Sequence, residues 1–223
     1  ACKDWLTNKV DRCVGGKVAK QQCAGALQLP LNNVGVMALD YNGKEGIATS
    51  IGHSPLTALI SPTAGSRNAI AEALTNIVWA PLKDGLQSVS LSANWMWACR
   101  NKGEDARLYE AVEAASDFAI ELGINIPTGK DSLSMKQKSP DGGDVIAPGT
   151  VIISAAAHCT DVQKVVEPVL KRNGGNIYYI NFSGAQFELG GSAFAQVLNK
   201  IGDKAPTVTD AEGFKIAFNV LQS

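Results

Sequence analysis

Histidine is nearly missing from this sequence: His53 and His158 are the only two in 223 residues. Neither stands in a recognisable Ser-His-Asp or Cys-His pattern, so nucleophilic catalysis of that kind has no support. Cysteine is sparse too, and the five, at positions 2, 13, 23, 99 and 159, form no CxxC pair. That argues against a disulfide scaffold and for a reducing, cytoplasmic setting. A catalytic thiol would need a basic partner that the pattern does not offer. Net charge is also lacking, since 20 basic and 21 acidic side chains leave −1. No basic run with interleaved aromatics is present, so a general attraction to nucleic acid or to a membrane surface is excluded. No apolar run approaches the roughly 20 residues of a membrane span. The first residues, "ACKDWLTNKV", hold no signal-peptide core.

What is present is a globular composition, 45% hydrophobic and 18% charged, which supports a sizeable core. Residues 1–33 read as mixed and loop-like. Strand signals at 34–40 and 46–52 flank Asn42-Gly43 and predict a hairpin. A helix is expected from about residue 63, with Ile70, Ala73, Leu74, Ile77 and Val78 on one face and Pro81 as its stop. Residues 87–93 alternate like a half-buried strand. A second helix starts near Glu104, with Leu108, Ala111, Val112, Ala115, Phe118, Ala119 and Leu122 on one stripe. Gly123 is placed to close it as the left-handed cap. A short strand at 124–127 precedes the loop "TGKDSLSMKQKSPDGGD", and 149–158 reads as a buried strand. Further on, the pattern predicts a helix or helical turn over 161–175, interrupted near Pro168. A strand over 176–182 and helices over 190–202 and 210–222 follow. This mixture predicts an α+β or α/β fold. One strand and two helices in the last fifty or so residues cannot bury much core, so the chain is expected to be a fragment of a larger protein.

Four stretches carry candidate chemistry. Glu72 and Asn76, at i and i+4, project to one side of the first helix. A carboxylate and an amide oxygen are hard ligands that magnesium accepts when phosphate oxygens complete its shell. Spacing alone favours the plainer reading, an exposed polar face. In "PTGKDSLSM" (127–135), Lys130, Asp131 and Ser132 follow Gly129. They could hold phosphate or magnesium, or form only a polar turn; no GxxxxGK[ST] loop is present. Arg12, Gly15, Gly16, Lys17 and Lys20 make a basic segment suited to an anion or simply to solvent. Gly190, Gly191 and Ser192 open a helix, either as an anion cradle or as a tight turn.

Several motifs recur here in one order: "DRCVGGKVAKQQCAGALQLPLNNVGVMAL", "AEALTNI", "LSANWMW", "GKDSLSM", "VIISAAAHCTDV" and "LGGSAFAQV". Together, from about Asp11 to the end, they resemble the large phosphoribosylformylglycinamidine synthase family of purine biosynthesis, and within it the second of two related synthetase halves. The resemblance implies an aminoimidazole ribonucleotide synthetase-like α+β domain over 1–165. Its sheet would pair with that of the first half. An incomplete second α/β domain would follow over 166–223.

The resemblance also implies ATP or ADP and Mg2+ as cofactors. Formylglycinamide ribonucleotide is the implied small-molecule substrate, and a separate glutaminase domain of the parent chain would supply ammonia. Nothing here resembles that glutaminase, so these cysteines should be bystanders to its chemistry. Glu72 and Asn76 match metal ligands of the family. Asn32 and Asn33 fall where the family reads Ala-Asp, which makes Asn33 an uncharged third ligand and puts Asn32 beside the nucleotide. A further ligand is expected in a later "DxSDGG" motif, beyond the end of this chain. Arg12, Lys130, Asp131 and Ser132 match positions facing the cleft between the halves. A non-catalytic nucleotide-binding scaffold is the alternative role. Another ATP-dependent synthetase of the same superfamily is a third, against which the pairing of "SANWMW" with "GKDSLSM" argues.

Overall fold

Six strands form one mixed sheet in the computed structural model, which describes residues 12, 16–172, 174–183 and 187–223. Cys2, Cys13 and Gly15 lie outside the described residues. The strands are β1 (Val18–Lys20), β2 (Val34–Ala38), β3 (Gly46–His53), β4 (Ser90–Met96), β5 (Asn125–Ser132) and β8 (Thr150–Cys159). Their order is β1-β2-β3-β8-β4-β5, antiparallel throughout except for the parallel pair β4–β5. A separate two-stranded ribbon joins β6 (Lys136–Lys138) to β7 (Asp144–Ile146).

The β2–β3 hairpin forms as expected. Its turn is held by the Asp40 carboxylate, which accepts from the main-chain N–H of Gly43 and, at 2.7 Å, from that of Asn42. These bonds, chiefly that from Gly43, hold the Asp40 carboxyl below its ordinary value of 3.8. A depressed folded pKa contributes stability above the unfolded pKa and loses it as pH falls through the folded value. An NMR titration of this carboxyl should therefore show a midpoint below 3.8. A midpoint at or above that value would mean the turn is not held in this way.

Helices α1 (Pro55–Ile60), α2 (Pro62–Ile77) and α3 (Glu104–Leu122) follow β3 and β4 in the chain. Ser61 caps α2, its hydroxyl accepting from the N–H of Ala64, and Pro62 occupies the first turn, where its missing N–H costs nothing. The predicted face is fully buried: Ile70, Ala73, Leu74 and Ile77 are all 0% exposed. Helix α2 lies across β3 and β8, and α3 packs on α2. Gly123 closes α3 in the left-handed conformation, φ 74°. The α3 stripe is rotated slightly from expectation, with Ala114 buried in place of the exposed Val112.

Among the described residues, α2 and α3 share a core with Val36, Ala48, Leu91, Ile153 and Ala155 on one sheet face. The other face leaves Met37, Ile47 and Ile51 exposed. The architecture is therefore α+β, with a one-sided sheet.

Later in the chain the structure departs from the sequence reading. The predicted strand 87–93 shifts to Ser90–Met96, behind a 3-10 turn over Gly85–Ser88. The segment "GKDS" is not loop: β5 runs through it to Ser132. Gly129 permits this, because a Cβ there would lie 2.4 Å from the carbonyl oxygen of Ala93 on β4. Over 161–175 only the 3-10 turn Val162–Lys164 forms among the described residues. Residues 176–182 form no strand, for they find no partner to pair with. The helix expected over 190–202 is confined to α4 (Ala193–Val197), after which Asn199 takes φ 53°. The last helix, α5 (Ala211–Gln222), forms as expected and packs on α3.

Candidate functional site

Small residues at the α2–β3 junction place the candidate ligands. Ala48, Ser50 and Gly52 line the helix side of β3 opposite Ala69 and Ala73 of α2. The Ser50 hydroxyl donates to the carbonyl of Ala73 at 2.6 Å, so this buried polar group of the seam is satisfied. A Cβ at Gly52 would lie 2.1 Å from the Ala69 oxygen and 2.4 Å from the Ala73 nitrogen. Only glycine lets the helix come this close.

That approach brings Glu72 and Asn76 to the end of β3, where β2 has stopped and left main-chain groups unpaired. Glu72 Oε2 accepts from the N–H of His53 at 2.6 Å. Asn76 Nδ2 donates to the carbonyl of Ile51 at 3.0 Å. Each side chain thus spends one atom on holding the strand end. Glu72 Oε1 and Asn76 Oδ1 remain for a ligand. Both residues line a trough of about 890 Å³ together with Asn32, Asn33 and His53. It continues across the open sheet face past Thr49 and Ser154 to Thr128 of β5. A second hollow of about 550 Å³ adjoins it at Asn33 and Asn76, walled by Trp79, Val166 and Val169.

Asn33 is exposed on this wall and contributes an oxygen without charge. Asn32 is committed elsewhere: its Nδ2 donates to the carbonyls of Gln21 at 2.8 Å and Val34 at 3.0 Å, fixing the loop before β2. Among the described residues, no group of three His, Cys, Asp or Glu is placed to hold a metal ion. The available donor set is instead one carboxylate and two amides, hard oxygens that suit magnesium.

Lys130, Asp131 and Ser132 do not join this group. They lie on edge strand β5, three strand spacings from β3, or about 14 Å. There Lys130 Nζ donates to Ser132 Oγ at 3.1 Å, and Lys130 stands in register with Asn94, whose buried Oδ1 has no partner among the described residues. Arg12 lies toward the opposite edge, bonded to Gln21 and to Gln28 at 2.6 Å. Lys20, on the trough wall, pairs with Glu167 at 2.7 Å, and Lys17 donates to the Leu39 carbonyl. Ser192 caps α4 by accepting from the Ala195 N–H, so this glycine pair serves a tight turn.

The Cys99 and Cys159 thiols are not activated. Burial pushes the Cys159 thiol up. Burial, followed by the charges of Asp105 and Glu104, does the same to Cys99. Both shifts disfavour the thiolate. Cys99 and Cys159 are free.

Sequence reasoning missed His53. Its ring Nδ1 stands 3.9 Å from Glu72 Oε2. No sequence spacing reveals this pair, because the two residues are 19 apart and meet only through the contact at Gly52.

Residues 2–158 match the FGAR-AT PurM_N-like domain family. Over its full length the chain is 44% identical to the phosphoribosylformylglycinamidine synthase of Homo sapiens, of which it covers 17%. Identity to the probable phosphoribosylformylglycinamidine synthase of Caenorhabditis elegans is also 44%, over 100% of this chain and 17% of that protein. The chain therefore spans about a sixth of the length of these relatives. Among solved structures, PurLQS of Thermotoga maritima matches with a TM-score of 0.55 at 16% identity, covering 76% of this chain and 25% of that one. PurL of Thermotoga maritima complexed with ADP gives 0.52 at 15% identity, over 75% and 25% of the two chains. At these identities the likeness is one of fold.

Proposed function

The chain belongs to the FGAR-AT PurM_N-like domain family, and from that premise we propose that it is the second synthetase half of a phosphoribosylformylglycinamidine synthase, with a magnesium–nucleotide site in the trough. The observation that carries this reading is the convergence of Glu72, Asn76 and Asn33 on one wall, two of them anchored and each offering an oxygen. The named neighbour complexed with ADP supports a nucleotide as the ligand. Glu72 and Asn76 would hold the cation, Asn33 would add a neutral oxygen, and Asn32 would fix the loop beside the nucleotide. Bound magnesium would supply charge neutralisation of the phosphates.

In the parent reaction ATP would phosphorylate the amide oxygen of formylglycinamide ribonucleotide. Ammonia from the glutaminase domain would then displace phosphate and leave the amidine. Arg12, Lys130, Asp131 and Ser132 would face the cleft between the halves and position substrate. The open sheet face, with Met37, Ile47 and Ile51, would pair with the sheet of the first half, because an exposed apolar sheet face calls for a partner. Residues 1–165 would form the first domain, and 166–223 would begin the second. The free Cys99 and Cys159 fit a cytoplasmic setting. The 223-residue chain by itself is proposed to be inactive, as it spans 17% of its human relative.

A scaffold role for the nucleotide is favoured by one feature. Glu72 and Asn76 also cap the end of β3, so ligand binding and strand order are linked.

In the full-length protein, Glu72→Ala should weaken nucleotide binding in the presence of magnesium by about tenfold or more. It should also remove the rise in melting temperature that the nucleotide gives. Calorimetric titration and thermal melts would test this. Unchanged affinity and unchanged melting would make Glu72 a solvated surface residue and defeat the proposal.

A further inference from the structure

We infer that His53 is a nitrogen donor to this cation site, which therefore takes Mn2+ in preference to Mg2+. The inference rests on the metal–nucleotide reading above and adds a ligand to it. His53 ends β3 with its side chain in the trough, beside Glu72, Asn76 and Asn33. Its position is fixed from the main chain, because its N–H donates to Glu72 Oε2 at 2.6 Å. The same oxygen lies 3.9 Å from ring Nδ1. Two donors at right angles on bonds of about 2.1 Å lie roughly 3 Å apart. The pair that must reach that spacing is ring Nδ1 and Oε1, the carboxylate oxygen that the strand end leaves free.

The arrangement repeats across the site. Glu72 is anchored through Oε2, Asn76 through Nδ2 and His53 through its backbone nitrogen. Each keeps a donor atom for the trough. As a bare ion pair the contact would contribute little, since His53 and Glu72 are 56% and 46% exposed and the separation is at its limit.

The chemistry of the set decides the cation. One carboxylate, two neutral amides and an imidazole offer magnesium little charge and one ligand that it disfavours. Manganese accepts carboxylate and carbonyl oxygens as magnesium does. It stands above magnesium in affinity for nitrogen, so an imidazole shifts the balance toward it.

The test uses Mn2+ alone and Mg2+ alone with the full-length protein, its Glu72→Ala variant and its His53→Ala variant. Electron spin-echo envelope modulation of bound Mn2+ reads a directly coordinated imidazole nitrogen. The Glu72→Ala sample isolates the signal of this site from any other. We expect a nitrogen coupling that depends on Glu72 and is lost in His53→Ala. Mn2+ affinity should fall about tenfold in His53→Ala, with Mg2+ affinity within about twofold of the parent. Mn2+ binding that depends on Glu72 but shows no nitrogen coupling would overturn the role of His53 and leave an all-oxygen metal site standing. Mn2+ binding indifferent to Glu72→Ala would remove the metal site itself, and this inference with it.

Discussion

Gly52→Ala is expected to cost the fold about 3 kcal/mol or more and to disperse the candidate site at the same time. The new Cβ would meet the Ala69 oxygen at 2.1 Å and the Ala73 nitrogen at 2.4 Å, both backbone atoms of α2. No rotamer change relieves a contact with helix backbone, so α2 must lift from β3. Lifting breaks the bond from the Ser50 hydroxyl to the Ala73 carbonyl and leaves a buried donor unsatisfied. It also separates Glu72 from the His53 N–H and Asn76 from the Ile51 carbonyl. Urea denaturation should show a lower midpoint at an unchanged m-value. Gly143→Ala is the control, because a Cβ there meets nothing within 4 Å. It should stay within about 0.5 kcal/mol of the parent. Equal midpoints for the two variants would mean that the close approach at Gly52 is not what holds α2 in place.

The same junction separates what the sequence makes legible from what it hides. Ile70, Ala73, Leu74 and Ile77 reveal the buried face of α2 through their spacing, and Asn42-Gly43 reveals the hairpin, because these signals are local. Glu72 and Asn76 are legible as a pair for the same reason. Their partner His53 is not, since only the tertiary approach at Gly52 creates it. Strand β5 escapes notice through "GKDS" because an exposed edge strand needs no apolar alternation. What holds it is the parallel ladder to β4. The error runs the other way at 176–182. Ile177, Tyr178 and Tyr179 have strong strand propensity, yet they are 89%, 80% and 80% exposed. Strand propensity expresses packing on a paired sheet, and alone it orders nothing.

Phe214→Ala is expected to destabilise the sheet-bearing unit by about 3–5 kcal/mol, although Phe214 lies on α5, far along the chain. Phe214 is 1% exposed and shares the core with Phe118 and Leu122 of α3. Its ring meets Phe118 edge-to-face, with centroids 6.1 Å apart, and Phe182 at 4.5 Å. Truncation removes these contacts and opens a cavity that the surrounding helices can close only in part. Two polar clamps depend on the same docking. Asn219 Oδ1 accepts from the Leu86 N–H at 3.1 Å. Gln222 Nε2 donates to the carbonyls of Val78 and Ala80 while its Oε1 accepts from the Leu82 N–H. These groups bind the turn that leaves α2 directly after Asn76, so α5 holds the end of the helix that carries the candidate ligands. In Phe214→Ala, hydrogen exchange should therefore accelerate at the amides of Leu82 and Leu86, along with the fall in the denaturation midpoint. Gln222→Ala should accelerate the Leu82 amide at a cost of only about 1–3 kcal/mol, since one side chain's bonds are lost and no core cavity forms. If Phe214→Ala leaves the main unfolding transition unmoved, α5 docks as an independent unit and the path from the last helix to Asn76 does not exist.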